Sequence, residues 1–307
     1  MKNYIVGHIN PDTDSVVSAI AYQKLKYSLG EKEEFVASAS GSVNKETKLV
    51  LEKFGIDEPI IIPKTEKNVI LVDHNEPSQI SENVNEGEIK VIIDHHKLGG
   101  LSTQEPVNVI MRPVGSTSTI IAQEAFLRRI EIDIQTASIL ICGILSDTLK
   151  FASPTTTEDD KKIVEDLNKI ANLDIDKIAQ EMFEAKSDIS DISTEELLGK
   201  DYKVFDMHGK KVGIGVWETT NPSSIIERKS EIHKALKDKK EKEGLDHIFF
   251  AAIDIIEGAA HFILDTDPET ALIADAFEVA VKEGVAYAKG IVSRKKQIAP
   301  KIEEVLK

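Results

Sequence analysis

The chain is short of several things at once. It has one cysteine, Cys142, in 307 residues, so no disulfide can form within it. Cys142 lies in the apolar run ASILICGILSD (137–147) and reads as a core residue, which favours a reducing, cytoplasmic setting. No apolar run reaches the ~18 residues that a membrane-spanning helix needs. The first ten residues, MKNYIVGHIN, lack the long apolar stretch and small-residue cleavage site of a signal peptide. Positive charge is scarce: 38 Lys and Arg face 53 Asp and Glu, a formal net charge of -15. Such an excess repels nucleic acid and anionic lipid unless cations are concentrated locally. Aromatic residues are only 5%, which leaves few platforms for stacking bases.

What is present is ordinary core-forming material, 41% hydrophobic and 30% charged. The length suits two domains. Apolar runs at 3–9, 34–38, 68–75, 89–96 and 107–114 read as strands, and helical segments intervene or follow, including 116–130, 135–147, 157–170 and 174–185. That alternation predicts an α/β first domain (1–187) with a doubly wound, mainly parallel sheet. Small polar residues and aspartates in AKSDISDISTEE (185–196) mark a linker at about 188–193. Beyond it, a hairpin over 202–219 turning at His208–Gly209, a charged helix over 222–243 and strands at 247–255 and 260–265 predict a smaller α+β domain (194–307) with a mixed sheet.

Three predicted strands end in metal-ligand residue types. GHINPDTDS (7–15) carries His8, Asp12 and Asp14; the next ends in Asp73–His74; the third in Asp94–His95–His96. The helix over 135–147 ends at a fourth group, Asp147. One aspartate after a strand is usually a cap or turn former. Four such endings are harder to explain that way, because ligands of open parallel sheets bind beyond the strands' carboxyl ends. Carboxylates and neutral imidazoles suit Mn, Mg, Co or Zn, and the lack of thiolates disfavours a structural zinc site. Asp12, Asp14, Asp73 and Asp147 bring four negative charges, which two divalent ions balance, with His8 and His95 as neutral ligands. Two ions about 3.5–4 Å apart can bridge a water, lower its pKa and align an attack on phosphorus. In the otherwise acidic chain, SRKKQIAP (293–300) packs Arg294, Lys295 and Lys296 together. It reads either as the solvated basic end of a helix or as a clamp for a highly charged phosphate.

In order, HINPDTDS, VDHNE, IDHH and GILSDT resemble the motifs of the DHH phosphoesterase superfamily. SRKKQ together with DYKVF (201–205) is similar to what the manganese-dependent, family II inorganic pyrophosphatases carry. The resemblance runs over essentially the whole chain. It implies that His8, Asp12 and Asp73 bind one metal and that Asp14, Asp73, His95 and Asp147 bind a second, with Asp73 bridging. It implies two Mn²⁺, with Co²⁺ as an alternative, and an additional Mg²⁺ arriving with substrate. His96 would face substrate as a proton donor, while Lys203, Arg294 and Lys295 would grip pyrophosphate from the second domain; Lys296 matches the motif without an assigned contact. Asp94 would support a histidine; His74 is either such a support or a plain turn residue. The expected reaction is hydrolysis of pyrophosphate to two orthophosphates by a metal-bridging hydroxide, with domain closure, in a cytoplasmic homodimer without nucleic-acid or membrane partners. The chain departs from the family pattern at Val216–Trp217, where glutamine is expected. Rival readings are a short-chain exopolyphosphatase, an oligonucleotide phosphodiesterase and a non-enzymatic metal-binding protein.

Overall fold

The structure is a computed structural model describing residues 2–64, 68–84, 89–264 and 267–306. The chain divides into two compact units, Met1–Ala185 and Lys186–Lys307.

In the first unit the strands are β1 (Lys2–Val6), β2 (Glu34–Ala39), β3 (Ile60–Ile61), β4 (Val69–Val72), β5 (Ile89–Asp94) and β6 (Asn108–Met111). They form one sheet in the order β3-β2-β1-β4-β5-β6, and every pairing is parallel. The expected parallel α/β sheet is therefore present. The order reverses between β1 and β4, so the crevice beyond their carboxyl ends is the natural ligand position. The helices are α1 (Thr13–Ser28), α2 (Lys45–Lys53), α3 (Thr117–Leu127), α4 (Ile134–Asp147), α5 (Glu158–Ala171) and α6 (Ile175–Lys186).

β4 explains the layering. Its four residues are all buried; Ile70 and Val72 join the helices in one core, while Val69 and Leu71 join Val6, Ile62, Val84, Ile89 and Ile92 in another. A strand buried on both faces reads as a continuous apolar run, as this one does. The second core draws its further cover from Ile80, Leu101 and Val107 rather than from helices. Cys142 is buried on α4, where burial pushes its thiol pKa up.

The second unit holds α7 (Thr194–Gly199), β7 (Tyr202–Met207), β8 (Lys210–Thr219), α8 (Pro222–Glu227), α9 (Lys229–Glu243), β9 (His247–Asp254), β10 (Ala259–Ile263), α10 (Asp267–Phe277), β11 (Val281–Lys282), β12 (Val285–Lys289) and α11 (Ala299–Val305). Its sheet order is β11-β12-β10-β9-β8-β7. β8 and β9 pair parallel and the other pairs are antiparallel, the mixed sheet expected. The hairpin turns at His208 and Gly209, both with positive φ. The strand expected over 260–265 ends at Ile263, and Asp265 lies outside the described residues.

One sequence expectation needs correction here. The single helix over 222–243 is two helices meeting at Arg228. The Arg228 guanidinium donates to the carbonyls of Ile189 and Ile192 and to Thr194 Oγ1, which pins the chain where a continuous helix would run. α7 begins at Thr194, with Ser193 accepting from Glu196 N–H as its cap. Val216 is buried and Trp217 packs against the α7–α9 core with Lys200 Nζ 4.8 Å from its ring centre. The departure from the family pattern thus fills core volume.

Candidate metal centre

The loops leaving β1, β4 and β5 and the last turn of α4 converge on one cavity of about 480 Å³, lined by His8, Asp12, Asp73, His95, His96 and Asp147 among others. A larger depression near Phe126 and Ile163 contains none of these groups.

Asp73 is central. It follows β4 with φ +65°, a left-handed conformation uncommon for a non-glycine residue. Its carboxylate is 1% exposed. His8 Nε2 lies 3.5 Å from Asp73 Oδ2, and His95 Nε2 lies 3.3 Å from Asp73 Oδ1. His8 Nε2 is also 3.4 Å from Asp12 Oδ2, and His95 Nε2 is 3.5 Å from Asp147 Oδ2. The ligand-type atoms of His8, Asp12 and Asp73 lie within 4.8 Å of one another, as do those of Asp14, Asp73, His95 and Asp147, and those of Asp73, His95 and His96.

The imidazoles are held with one ring nitrogen facing inward. His8 Nδ1 lies 2.8 Å from the Ile9 carbonyl, His95 Nδ1 3.0 Å from that of Val114, and His74 Nδ1 2.9 Å from that of Val72. A carbonyl only accepts, so each Nδ1 carries a proton, and Nε2 is the nitrogen left bare when the ring is neutral. Buried Asp73 Oδ2, His95 Nε2 and His74 Nε2 have no hydrogen-bond partner among the described residues. Buried polar atoms are rarely left so; for Asp73 and His95, which face each other's ligand set, a cation is the fitting partner.

The electrostatics agree. Burial alone would lower the His8 pKa, but Asp12 and Asp73 outweigh it and raise it to about 11. For His95, burial is likewise outweighed by Asp147 and Asp73, which raise it to about 12. Burial lifts Asp14 to about 6, with Asp73 adding to the effect, and burial with Asp14 and Asp12 raises Asp147. For Asp73, burial is overcome by His8 and His95, which hold its pKa down. The two histidines, Asp14 and Asp147 thus hold protons tightly wherever no other cation is supplied, while Asp73 stays ionised between the imidazoles.

Asp14 is held most completely. Its Oδ1 accepts from Ser116 Oγ (2.8 Å), Ser118 N–H (3.0 Å) and Ser118 Oγ (2.5 Å), and its Oδ2 from Thr117 N–H (2.7 Å). These donors are the N-terminal turn of α3, whose dipole also favours an anion. Thr117 Oγ1 donates to Asp73 Oδ1 at 2.9 Å. Gly143 on α4 lets Asp14 approach, since a Cβ there would lie 2.3 Å from Ser118 Oγ and 2.8 Å from Asp14 Oδ1. Asp12 is more exposed, at 35%, and doubles as the α1 cap by accepting from Ser15 N–H.

Asp94 is fully buried and its Oδ1 accepts from His96 N–H (3.1 Å) and His96 Nδ1–H (2.9 Å). Asn75 Nδ2 donates to Asp94 Oδ2 at 2.5 Å. Asp94 in turn raises the His96 pKa; His96 is 53% exposed. His74 is only 4% exposed and burial lowers its pKa, so it is a neutral buried ring and not a solvated turn residue.

In the second unit, Lys203 is an exposed residue of β7 with Nζ 5.5 Å from the Phe205 ring centre. Arg294 and Lys295 lie in a single π-type turn, Arg294–Ile298, with Lys295 and Lys296 exposed. Arg294 Nη1 donates to the Asp201 carbonyl at 2.5 Å and lies 2.7 Å from Asp201 Oδ1. It is therefore tied to the residue two before Lys203.

Reading the sequence missed the α3 turn Ser116–Thr117–Ser118, Asn75, and Asp160, whose carboxylate takes the Gly115 N–H at 2.9 and 3.0 Å beside the carbonyl that holds His95. The Ser-Thr-Ser-Thr run before an apolar helix was a visible capping signal; its target, about 100 residues upstream, was not.

Residues 2–144 match the DHH family, N-terminal domain, and residues 180–305 match the DHHA2 domain. A manganese-dependent inorganic pyrophosphatase of Methanothrix thermoacetophila is 41% identical, covering 99% of this chain and 98% of that protein. One of Methanocaldococcus jannaschii is 40% identical, covering 98% of each. A solved Methanococcus jannaschii protein assigned to the family II inorganic pyrophosphatases has a TM-score of 0.63 at 38% identity, with 99% of both chains covered.

Proposed function

This chain belongs to the manganese-dependent inorganic pyrophosphatases, hydrolases of pyrophosphate, and from that premise we propose a two-metal mechanism with a cationic clamp. His8, Asp12 and Asp73 would hold one manganese ion, and Asp14, Asp73, His95 and Asp147 the other. The observation that carries this reading is the buried Asp73 carboxylate, common to both groups, with an unpartnered Oδ2. Two ions held by these residues would supply a nucleophile from water at neutral pH and polarise the phosphoryl group.

The chain's own groups do the rest. Asp73 faces both histidines and fixes the spacing of the two ligand sets. His8 and His95 hold their Nε2 atoms inward through carbonyl-bound Nδ1 protons. His96, kept protonated on Nδ1 by Asp94, offers Nε2 to a phosphate oxygen and can donate a proton there. Lys203, Arg294 and Lys295 supply positive charge to the leaving phosphate. Cobalt as an alternative metal, a magnesium ion arriving with pyrophosphate and a homodimeric state belong to the same reading. So do a metal-binding domain over 1–187, a substrate-binding domain over 194–307 and a cytoplasmic setting without nucleic-acid partners. The net charge of -15 and the single buried thiol support that setting; among the described residues no helix is long and apolar enough to cross a membrane.

The test combines metal stoichiometry with phosphate release from pyrophosphate, tripolyphosphate, ATP and a dinucleotide, with manganese and magnesium present. Two ions per chain and a kcat/KM far higher on pyrophosphate are expected. Equal or better rates on polyphosphate point to an exopolyphosphatase, and on the dinucleotide to a phosphodiesterase.

A further inference from the structure

Beside the proposed ligand set lies a further fully buried acidic side chain, Glu46. Glu46 belongs to the first turn of α2. Its Oε2 accepts from Thr13 Oγ1 at 3.0 Å and from Ser146 Oγ at 2.9 Å. Thr13 sits between Asp12 and Asp14, and Ser146 immediately precedes Asp147. One carboxylate oxygen therefore joins the first turn of α1 to the last turn of α4. The neighbouring Thr47 adds a second tie, its hydroxyl 3.0 Å from that of Thr13. The first turn of a helix is also a favourable place for a carboxylate.

We propose that Glu46 is a positioning residue for the manganese centre, setting the distance between the turn that carries Asp12 and Asp14 and the turn that carries Asp147. It touches no substrate. The inference rests on the ligand assignment above. The three ligand carboxylates repel one another when ionised and empty of metal, so the two turns tend to spread. A shared acceptor beneath both opposes that spreading without adding a group to the cavity. With the brace removed, each ion must draw the turns together as it binds, and affinity falls. An acceptor oxygen is what the brace needs, so glutamine can replace glutamate where alanine cannot.

The experiment is a Mn²⁺ titration of the metal-free full chain, by equilibrium dialysis and by electron paramagnetic resonance of the coupled ions. The variants are Glu46→Ala, Glu46→Gln, Ser146→Ala and, as ligand control, Asp147→Asn. Glu46→Ala is expected to bind Mn²⁺ about tenfold or more weakly, the usual effect of losing a group that orients ligands, with a changed coupling signal. Glu46→Gln should stay within about threefold of the parent because the accepting oxygen remains. At saturating manganese, Glu46→Ala should lower kcat and leave KM for pyrophosphate unchanged. Ser146→Ala removes one hydroxyl and keeps the experiment decisive if Glu46→Ala does not fold; it should fall between the other two. Parental affinity and signal in Ser146→Ala, or a Glu46→Gln as weak as Glu46→Ala, overturns the brace. Parental metal binding in Asp147→Asn overturns instead the ligand assignment beneath it.

Discussion

In the first unit the groups of the proposed site are short side chains at strand and helix ends, most of them buried and each fixed by named partners: Asp14 by the α3 turn, Asp73 by Thr117, His95 by the Val114 carbonyl. In the second unit Lys203 and Lys295 are long side chains standing in solvent on a strand and a π-type turn, and Arg294 alone is anchored, to Asp201. The difference follows from the cost of the charges. Carboxylates gathered in a cavity lose water and repel one another, so they need a rigid framework and bound cations. A lysine at the surface keeps its hydration until an anion arrives. Affinity for metal should therefore depend on the framework of the first unit, and turnover on both units.

The largest effect that can break this comparison is at Asp73. Asp73→Asn should lose at least one metal and about 10³-fold or more of kcat, since one carboxylate serves both ligand sets. Its melting temperature in manganese buffer should drop, because ligand binding stabilises the native state by mass action. Two bound ions and near-parental turnover in this variant would remove the bridge. Next come the cations of the second unit. Lys295→Ala or Arg294→Ala should cut kcat/KM by about 10²-fold, the scale of a charge-stabilising donor, with metal content unchanged by elemental analysis. Loss of metal with retained substrate affinity would reverse the division between the units. Thr117→Val is intermediate. It removes the hydroxyl that orients Asp73 and should weaken manganese binding about tenfold, read by dialysis; parental affinity would mean that the α3 turn supports the fold and not the centre.

The smallest effect is a control inside the first unit. Glu124 on α3 pairs with Arg112 and Arg128. Burial alone would raise its pKa, but the two guanidinium groups outweigh that and hold it below the ordinary 4.5. Both arginines are partly solvated, so Glu124→Gln should cost about 1 kcal/mol in denaturant unfolding. A carboxyl whose folded pKa is depressed contributes stability above its unfolded pKa and loses it as pH falls through the folded value. The gap between parent and variant should therefore be full near neutrality and close below about pH 4. Manganese affinity should not change; if it does, the centre depends on the unit as a whole and not on its own supports.

Much of the first unit was legible because its signals are local. Apolar runs ending in Asp or His read as buried strands with ligands beyond them, and the parallel sheet delivers those ends to one crevice. The helix break at Arg228 was not legible, since no proline or glycine marks it and its cause is a guanidinium reaching carbonyls almost 40 residues away. The second unit's last strands and its π-type turn were equally silent, being short and weakly periodic.

By itself the sequence determined which chemistry the chain can support: its ligand types, their order along the strands and the basic cluster near the C-terminal end are written in consecutive residues. Only the tertiary structure decided which atoms face inward. That Asp14 is wrapped by Ser116, Thr117 and Ser118, that His95 is turned by Val114, and that Glu46 lies beneath both Thr13 and Ser146 depends on contacts spanning from about 20 to about 100 residues. Local patterning encodes the period and polarity of an element; the direction of a buried polar atom is set by whichever distant partner satisfies it.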